Sequence, residues 1–409
     1  MQIPRVKSAS VWKSVRILFI GSGLLFLINI LFGFDNAFVV GDLARGNQLI
    51  HLHAGSLGWI TLSAIGIAVW MASSSRQLST QYERRIRLLT WVSVFVFAGY
   101  IPNFWLAFSL GQTPFLPLLP IFGSLTVLLL WVMTIFIFAQ FKEVKVLETI
   151  HLLIASALLV SAIGGTVGML LGLERVIGRF LPLPEADRVA AHAAMMDSYL
   201  FLLVGAIVEW FTNESQEKWS YAGLAQALAW TFGAAIVPIA FFTGMVAQLV
   251  PLFVVLMVIG LVIFLVRIGW RAMLIGPMAE RPRAWIFFSS LWLVIYMLLF
   301  LFLAAQSGAG QPMPEWFMPV FAHSGYVGMV TTGLLAIHST RGGNAADQLA
   351  WGDSVSLWLI NLGLLVFIVP RIAIGSRLGA IVMGLGVLLG VVTVQRRLWA
   401  SDGSSKEGS

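Results

Sequence analysis

The chain has no cysteine, and that one absence removes disulfides, thiolate metal sites and cysteine nucleophiles. Charge is scarce as well. Asp, Glu, Lys and Arg make up 11% of the 409 residues while 59% are hydrophobic, and the mean hydropathy is +0.91. So little charge cannot cover a water-soluble surface, and the composition reads as a polytopic membrane protein. No cleavable leader is expected, because Lys7, Lys13 and Arg16 run into a long span with no small-residue cleavage site behind a short apolar core. An isoelectric point of about 10.0 does not imply nucleic acid as a partner. The basic residues sit in short clusters between apolar runs, which is a topology signal and not a binding patch.

What the chain does have is hydrocarbon length. A membrane helix needs about 20 mainly apolar residues, and that template fits residues 12–34, 49–73, 88–110, 115–140, 149–173, 189–212, 221–243, 246–268, 284–305, 315–338, 354–372 and 376–395. The expected architecture is all-α, with residues 1–400 forming one transmembrane domain and the polar tail 401–409, SDGSSKEGS, disordered. If the N-terminus is cytoplasmic, only Arg45, Arg175, Arg179, Arg188, Arg371 and Arg377 of the 25 Lys and Arg fall outside. This bias supports an even number of spans with both termini cytoplasmic, in the lipid bilayer of a bacterial or archaeal inner membrane. The small-residue spacings Gly164, Gly168, Gly172 and Gly375, Gly379, Gly386, Gly390 predict close helix contacts.

Six histidines carry most of the remaining chemistry. The second, sixth and tenth spans all run from outside to inside, so His51, His53, His192 and His323 share the outer half of the bilayer. His151 and His338 fall toward the inner side, where an interfacial hydrogen-bonding role describes them. Imidazole within a membrane is expensive unless it bonds a partner or a metal, and neutral imidazole is a good ligand for heme iron and copper. Residues two apart on a helix point about 200° away from each other. His51 and His53, in the stretch IHLHAGSLGW, therefore cannot both face one small site. His53, the deeper of the two, is the one expected to face the tenth span. Gly55 and Gly58 remove bulk beside it, which admits either a flat macrocycle or a neighbouring helix.

Other polar groups lie inside the spans. Asp197 and Glu209 on the sixth span suggest a proton path from the cytoplasm toward the histidine layer, or ion pairs with Arg188 and Lys218. Asn103, Gln226, Gln248 and Asn361 read as interhelical hydrogen-bonders. Met195 and Met196 offer thioethers but read as packing.

Twelve spans with histidines on the second, sixth and tenth resemble the catalytic subunit of heme-copper oxidases and nitric-oxide reductases. HLHAGSLGW and the run AHSGYVGMVTTGLLAIHSTRGG at 322–343 are similar to the motifs of a shorter relative, the NnrS-like family. The resemblance implies a bundle like that of oxidase subunit I. In it, His51 or His53 and His323 would be the axial pair of a heme b, and His192 would stand in the place of a metal ligand, with copper as a second metal. Departures limit it: the seventh span, YAGLAQALAWTFGAAIVPIAFF, has no histidine pair, and the tenth has His323 where the oxidases carry His-x-His. A three-histidine copper site cannot be assembled in the oxidase way.

The expected function is that of a heme-binding membrane protein in respiratory electron transfer or in handling nitric oxide or oxygen. Any enzymatic activity would be that of an oxidoreductase. Quinol or an extracytoplasmic cytochrome would be its redox partner, and a homo-oligomer or a larger respiratory complex its assembly. A twelve-helix secondary transporter and a noncatalytic respiratory subunit are the competing readings. Against the transporter, no matching pair of Gly/Pro-broken spans divides the chain into two halves, although Pro102, Pro238 and Pro319 interrupt spans.

Overall fold

A computed structural model describes residues 9–38, 45–74, 78–109, 115–141, 148–178, 184–212, 220–280, 282–340, 348–368 and 373–400. The tail 401–409 and Lys218 lie outside them. Among the described residues the secondary structure is helical, with no strand. In hydrocarbon each backbone amide needs a partner within its own segment, and a helix supplies it.

The helices are α1 (Ala9–Phe38), α2 (Arg45–His53, continuing through Ala54–Thr61 and Leu62–Ser74), α3 (Thr80–Ser109), α4 (Leu118–Phe141), α5 (Thr149–Ile177) and α6 (Glu185–Thr212). They are followed by α7 (Tyr221–Thr243), α8 (Val246–Phe264 through Leu265–Gly269 to Trp270–Ile275) and α9 (Arg283–Gly308). The last three are α10 (Phe317–His323, Ser324–Thr331 and Thr332–Ser339), α11 (Ala350–Ile368) and α12 (Ala373–Ala400). All twelve are long and apolar enough to cross a membrane. The largest departure from the expected boundaries is α3. It begins eight residues early because TQYERRIR continues the helix amphipathically, burying Tyr82 and Ile86 while Arg84, Arg85 and Arg87 stay exposed.

Capping accounts for several ends. The Ser220 hydroxyl accepts from Gly223 N–H at the start of α7. Gly244, at φ 73°, closes α7 in the left-handed conformation that glycine adopts without strain, allowing α8 to begin at Val246.

Three helices contain a π-helical segment: Ala54–Thr61 in α2, Leu265–Gly269 in α8 and Ser324–Thr331 in α10. Such turns widen a helix by one residue and often mark functional positions.

The chain divides into two compact units, one of residues 1–18 and 61–270, the other of 19–60 and 271–409. In the first, α5 packs on α4 and α6, and α7 on α8. Trp131 Nε1 donates to Thr166 Oγ1 at 3.1 Å, and Trp230 Nε1 to the Met257 carbonyl at 3.2 Å. A buried ion pair of Arg188 with Glu174, at 2.8 Å, ties α6 to α5.

In the second unit α11 and α12 pack most closely. A Cβ on Gly386 would meet Ile360 N at 2.7 Å, and one on Gly390 would meet Ser356 Oγ at 2.5 Å. Only glycine permits this approach, as the small-residue spacing predicts. Asp353 and Arg397, 4% and 1% exposed, form a two-point ion pair at 2.9 and 2.6 Å between the same helices. Trp292 of α9 donates to Asn361 Oδ1 of α11 at 2.7 Å, and Ser289 to the Met329 carbonyl of α10 at 2.6 Å.

Candidate metal centre

In the unit of residues 19–60 and 271–409, α1, α2 and α10 set two histidine rings beside each other. The rings of His51 and His323 have centroids 6.2 Å apart and planes inclined by 31°. The expectation that His53 faces α10 thus gives way to His51. Residue spacing says that the two histidines of α2 diverge; it does not say which one turns toward α10.

Each of the facing rings is fixed by its Nδ1. His51 Nδ1 lies 2.9 Å from the Asn29 carbonyl of α1, and His323 Nδ1 lies 2.7 Å from the Pro319 carbonyl of its own helix. A carbonyl only accepts, so Nδ1 carries the proton in both rings and the Nε2 lone pair is the one available to a ligand. Metal-binding histidines are oriented in this manner.

α1 shapes the seat of His51 at two positions one turn apart. The Asn29 side-chain amide donates to the His51 carbonyl. A Cβ on Gly33 would lie 2.9 Å from His51 Cε1, so the absent side chain is what makes room for the ring. Sequence reasoning missed both residues. The signal was a lone amide in the apolar run LLFLINILFGF, four residues before a glycine on the same face.

A second feature also escaped that reading. Residues 53–61, HAGSLGWIT, and 323–331, HSGYVGMVT, share the pattern His-x-Gly-x-x-Gly-x-x-Thr. In both copies the residues after the histidine form the π-helical segment. The glycines are contact points: a Cβ on Gly55 would meet Asn29 Nδ2 at 2.7 Å, on Gly325 the Tyr296 ring at 2.6 Å, and on Gly328 the Trp292 ring at 2.6 Å. Gly55 therefore admits a neighbouring helix, the second of its two expected roles. Thr331 Oγ1 donates to the Tyr326 carbonyl five residues back, a group that the π turn frees from the α ladder. It also accepts from Trp59 Nε1 at 3.1 Å, tying the two copies together.

The remaining histidines differ. His53 Nδ1 bonds the Leu49 carbonyl of its own helix at 2.8 Å. His192 lies in the other unit, where its Nδ1 bonds the Gly164 carbonyl of α5 at 2.9 Å and its ring occupies the space above Gly168. His151 caps α5, accepting from Glu148 N–H at 3.1 Å. His338 is no interfacial hydrogen-bonder: it is 0% exposed, and among the described residues neither ring nitrogen has a hydrogen-bond partner. Its depth was read from where an apolar run ends, and that boundary does not reveal which way the ring points.

The acidic residues of α6 are also placed. Glu209 is buried and paired with Arg267, which the π turn of α8 carries and which also donates to Gln226 Oε1 at 3.1 Å. Its partner is thus Arg267 of α8. Asp197 is half-buried, and the buried pair of Arg188 is formed with Glu174.

Two imidazoles that share one metal from opposite sides have centroids about 6 Å apart, from two metal–nitrogen bonds of about 2 Å and roughly 1 Å within each ring. The His51–His323 spacing is of that size, and the tautomer of each ring leaves its Nε2 lone pair outside the Nδ1 hydrogen bond. A copper ion held by three protein groups fits less well: among the described residues no three of His, Cys, Asp and Glu converge to hold a metal.

No protein-family model matches the chain, and no curated protein matches it.

Proposed function

We propose that the chain is a heme-binding integral membrane protein of the heme-copper oxidase-like kind, serving electron transfer or the handling of nitric oxide or oxygen. His51 and His323 would hold the iron of a b-type heme. The observation that carries this reading is the pair of rings 6.2 Å apart, each with Nδ1 committed to a backbone carbonyl.

When bound between two imidazoles, heme iron supplies reversible one-electron transfer. The protein's own part is orientation and shielding. Asn29 and Pro319 hold the two rings in the tautomer that presents Nε2, and hydrogen bonding at Nδ1 makes Nε2 a stronger donor to the metal. Phe367, with its ring 4.9 Å from that of His323, forms an apolar flank that favours a low-charge redox couple. An electron donor such as a quinol or an extracytoplasmic cytochrome would suit a pair that the positive-inside bias assigns to the outer half of the bilayer.

The test is a dithionite-reduced minus oxidised absorption spectrum of protein produced with ample heme. A sharp b-type α band is expected, lost in His51→Ala and in His323→Ala. A featureless wild-type spectrum would sink the proposal.

A further inference from the structure

The six histidines fall into two chemical classes. Five have Nδ1 engaged by the backbone: His51, His53, His192 and His323 donate to carbonyls, and His151 accepts from an amide. His338 has neither nitrogen engaged among the described residues, although it is fully buried. It stands fifteen residues beyond His323 on α10, with its ring 4.1 Å from that of Phe19 and 5.0 Å from that of Trp59.

A second orphaned group adjoins the same Phe19. Gln395 of α12 donates its amide to the Phe19 carbonyl at 3.1 Å. Its Oε1 is buried with no hydrogen-bond partner among the described residues. Gly23, one turn along α1, is the position whose missing side chain leaves room for that amide. All of these residues belong to the unit of 19–60 and 271–409. One neutral imidazole and one amide oxygen thus present a donor and two acceptors around a single phenylalanine, inside an otherwise apolar bundle. Buried polar atoms left in this way are met by ordered water, which needs two to four polar partners.

We propose that His338 and Gln395 bind internal water, and that His338 passes protons through it. Water accepts from the ring N–H of His338, and water donates to the bare ring nitrogen and to Gln395 Oε1. In transfer one N–H bond forms at the bare nitrogen as the N–H bond at the other breaks. The proton leaves to the next water, and no electrons move. An imidazole whose Nδ1 proton is held by a carbonyl cannot do this, which separates His338 from the four carbonyl-bound rings. The proposal does not rest on iron being held by His51 and His323.

The test uses the full chain in lipid bilayers, with nitrogen-15 in the imidazoles, by proton-detected solid-state NMR. The ring signals missing from His338→Phe are expected to contact water and to exchange rapidly in D2O, while the Nδ1 protons of the carbonyl-bound rings exchange slowly. Gln395→Leu should slow the His338 exchange by roughly two- to tenfold, the range one lost hydrogen bond is worth. If His338→Phe does not fold, His338→Asn assigns the signal. A single fixed N–H on His338 without water contact would overturn the proposal, as would an exchange rate that Gln395→Leu leaves unchanged.

Discussion

Adding one methyl group at Gly33 tests the proposed heme ligands without substituting either histidine. A Cβ built there lies 2.9 Å from Cε1 and 3.3 Å from Nδ1 of His51, whereas carbon atoms in contact rest about 3.5–4.0 Å apart. The ring must therefore retreat by roughly 0.5–1 Å. It cannot do so freely, because its Nδ1 is held 2.9 Å from the Asn29 carbonyl, one turn away on the same helix. Stretching that bond beyond use forfeits about 1 kcal/mol of orientation. Alanine also favours the helix over glycine by up to about 1 kcal/mol, so the fold itself should not suffer. Loss of such support around a metal-binding histidine weakens affinity by roughly 10–100-fold. The assay is the heme-to-protein ratio after purification, followed by heme titration of the stripped protein. Gly33→Ala should bind substoichiometric heme and keep its thermal stability. Gly172→Ala, where a Cβ meets nothing within 4 Å, should match wild type. Full heme occupancy and unchanged affinity in Gly33→Ala would refute the cradle argument.

Three further outcomes follow from named contacts. His53→Ala should keep the α band, since the ring set beside His323 is that of His51, whereas His53 Nδ1 bonds the Leu49 carbonyl; its loss there, with His51→Ala unaffected, would reverse the ligand assignment. Arg397→Met strands Asp353, 4% exposed, and should cost about 3–5 kcal/mol, whereas the double change Asp353→Leu with Arg397→Met should recover most of it in a denaturation cycle. Asn361→Leu removes the acceptor of the Trp292 indole, itself 2% exposed, and should cost about 1–3 kcal/mol of thermal stability; no change in melting would mean that the indole finds another acceptor.

The spans were legible because about 20 apolar residues leave a membrane helix little alternative. Legibility fell where rotation about the helix axis mattered. The divergence of His51 and His53 follows from α-helical geometry alone, yet the face turned to His323 depends on how α2 lies against α1 and α10. Asn29 was hidden for another reason: its backbone carbonyl holds His51, and a carbonyl carries no sequence signature. The repeated His-x-Gly-x-x-Gly-x-x-Thr was in view, but a nine-residue echo separated by 270 positions is too short to register as duplication until both copies take the same π turn. Glu209 could not be matched to Arg267 because the π turn of α8 sets the direction of that arginine.

Each π turn holds one residue more than the α-helical turn it replaces. Deleting a single residue from Ala54–Thr61 would restore a regular α-helix and swing His51 and His53 by about 100° around the axis of α2. The helix therefore has a phase, set by a residue count and not by residue identity. A one-residue change in the length of that π-helical segment, with both histidines intact, would turn the His51 ring away from His323.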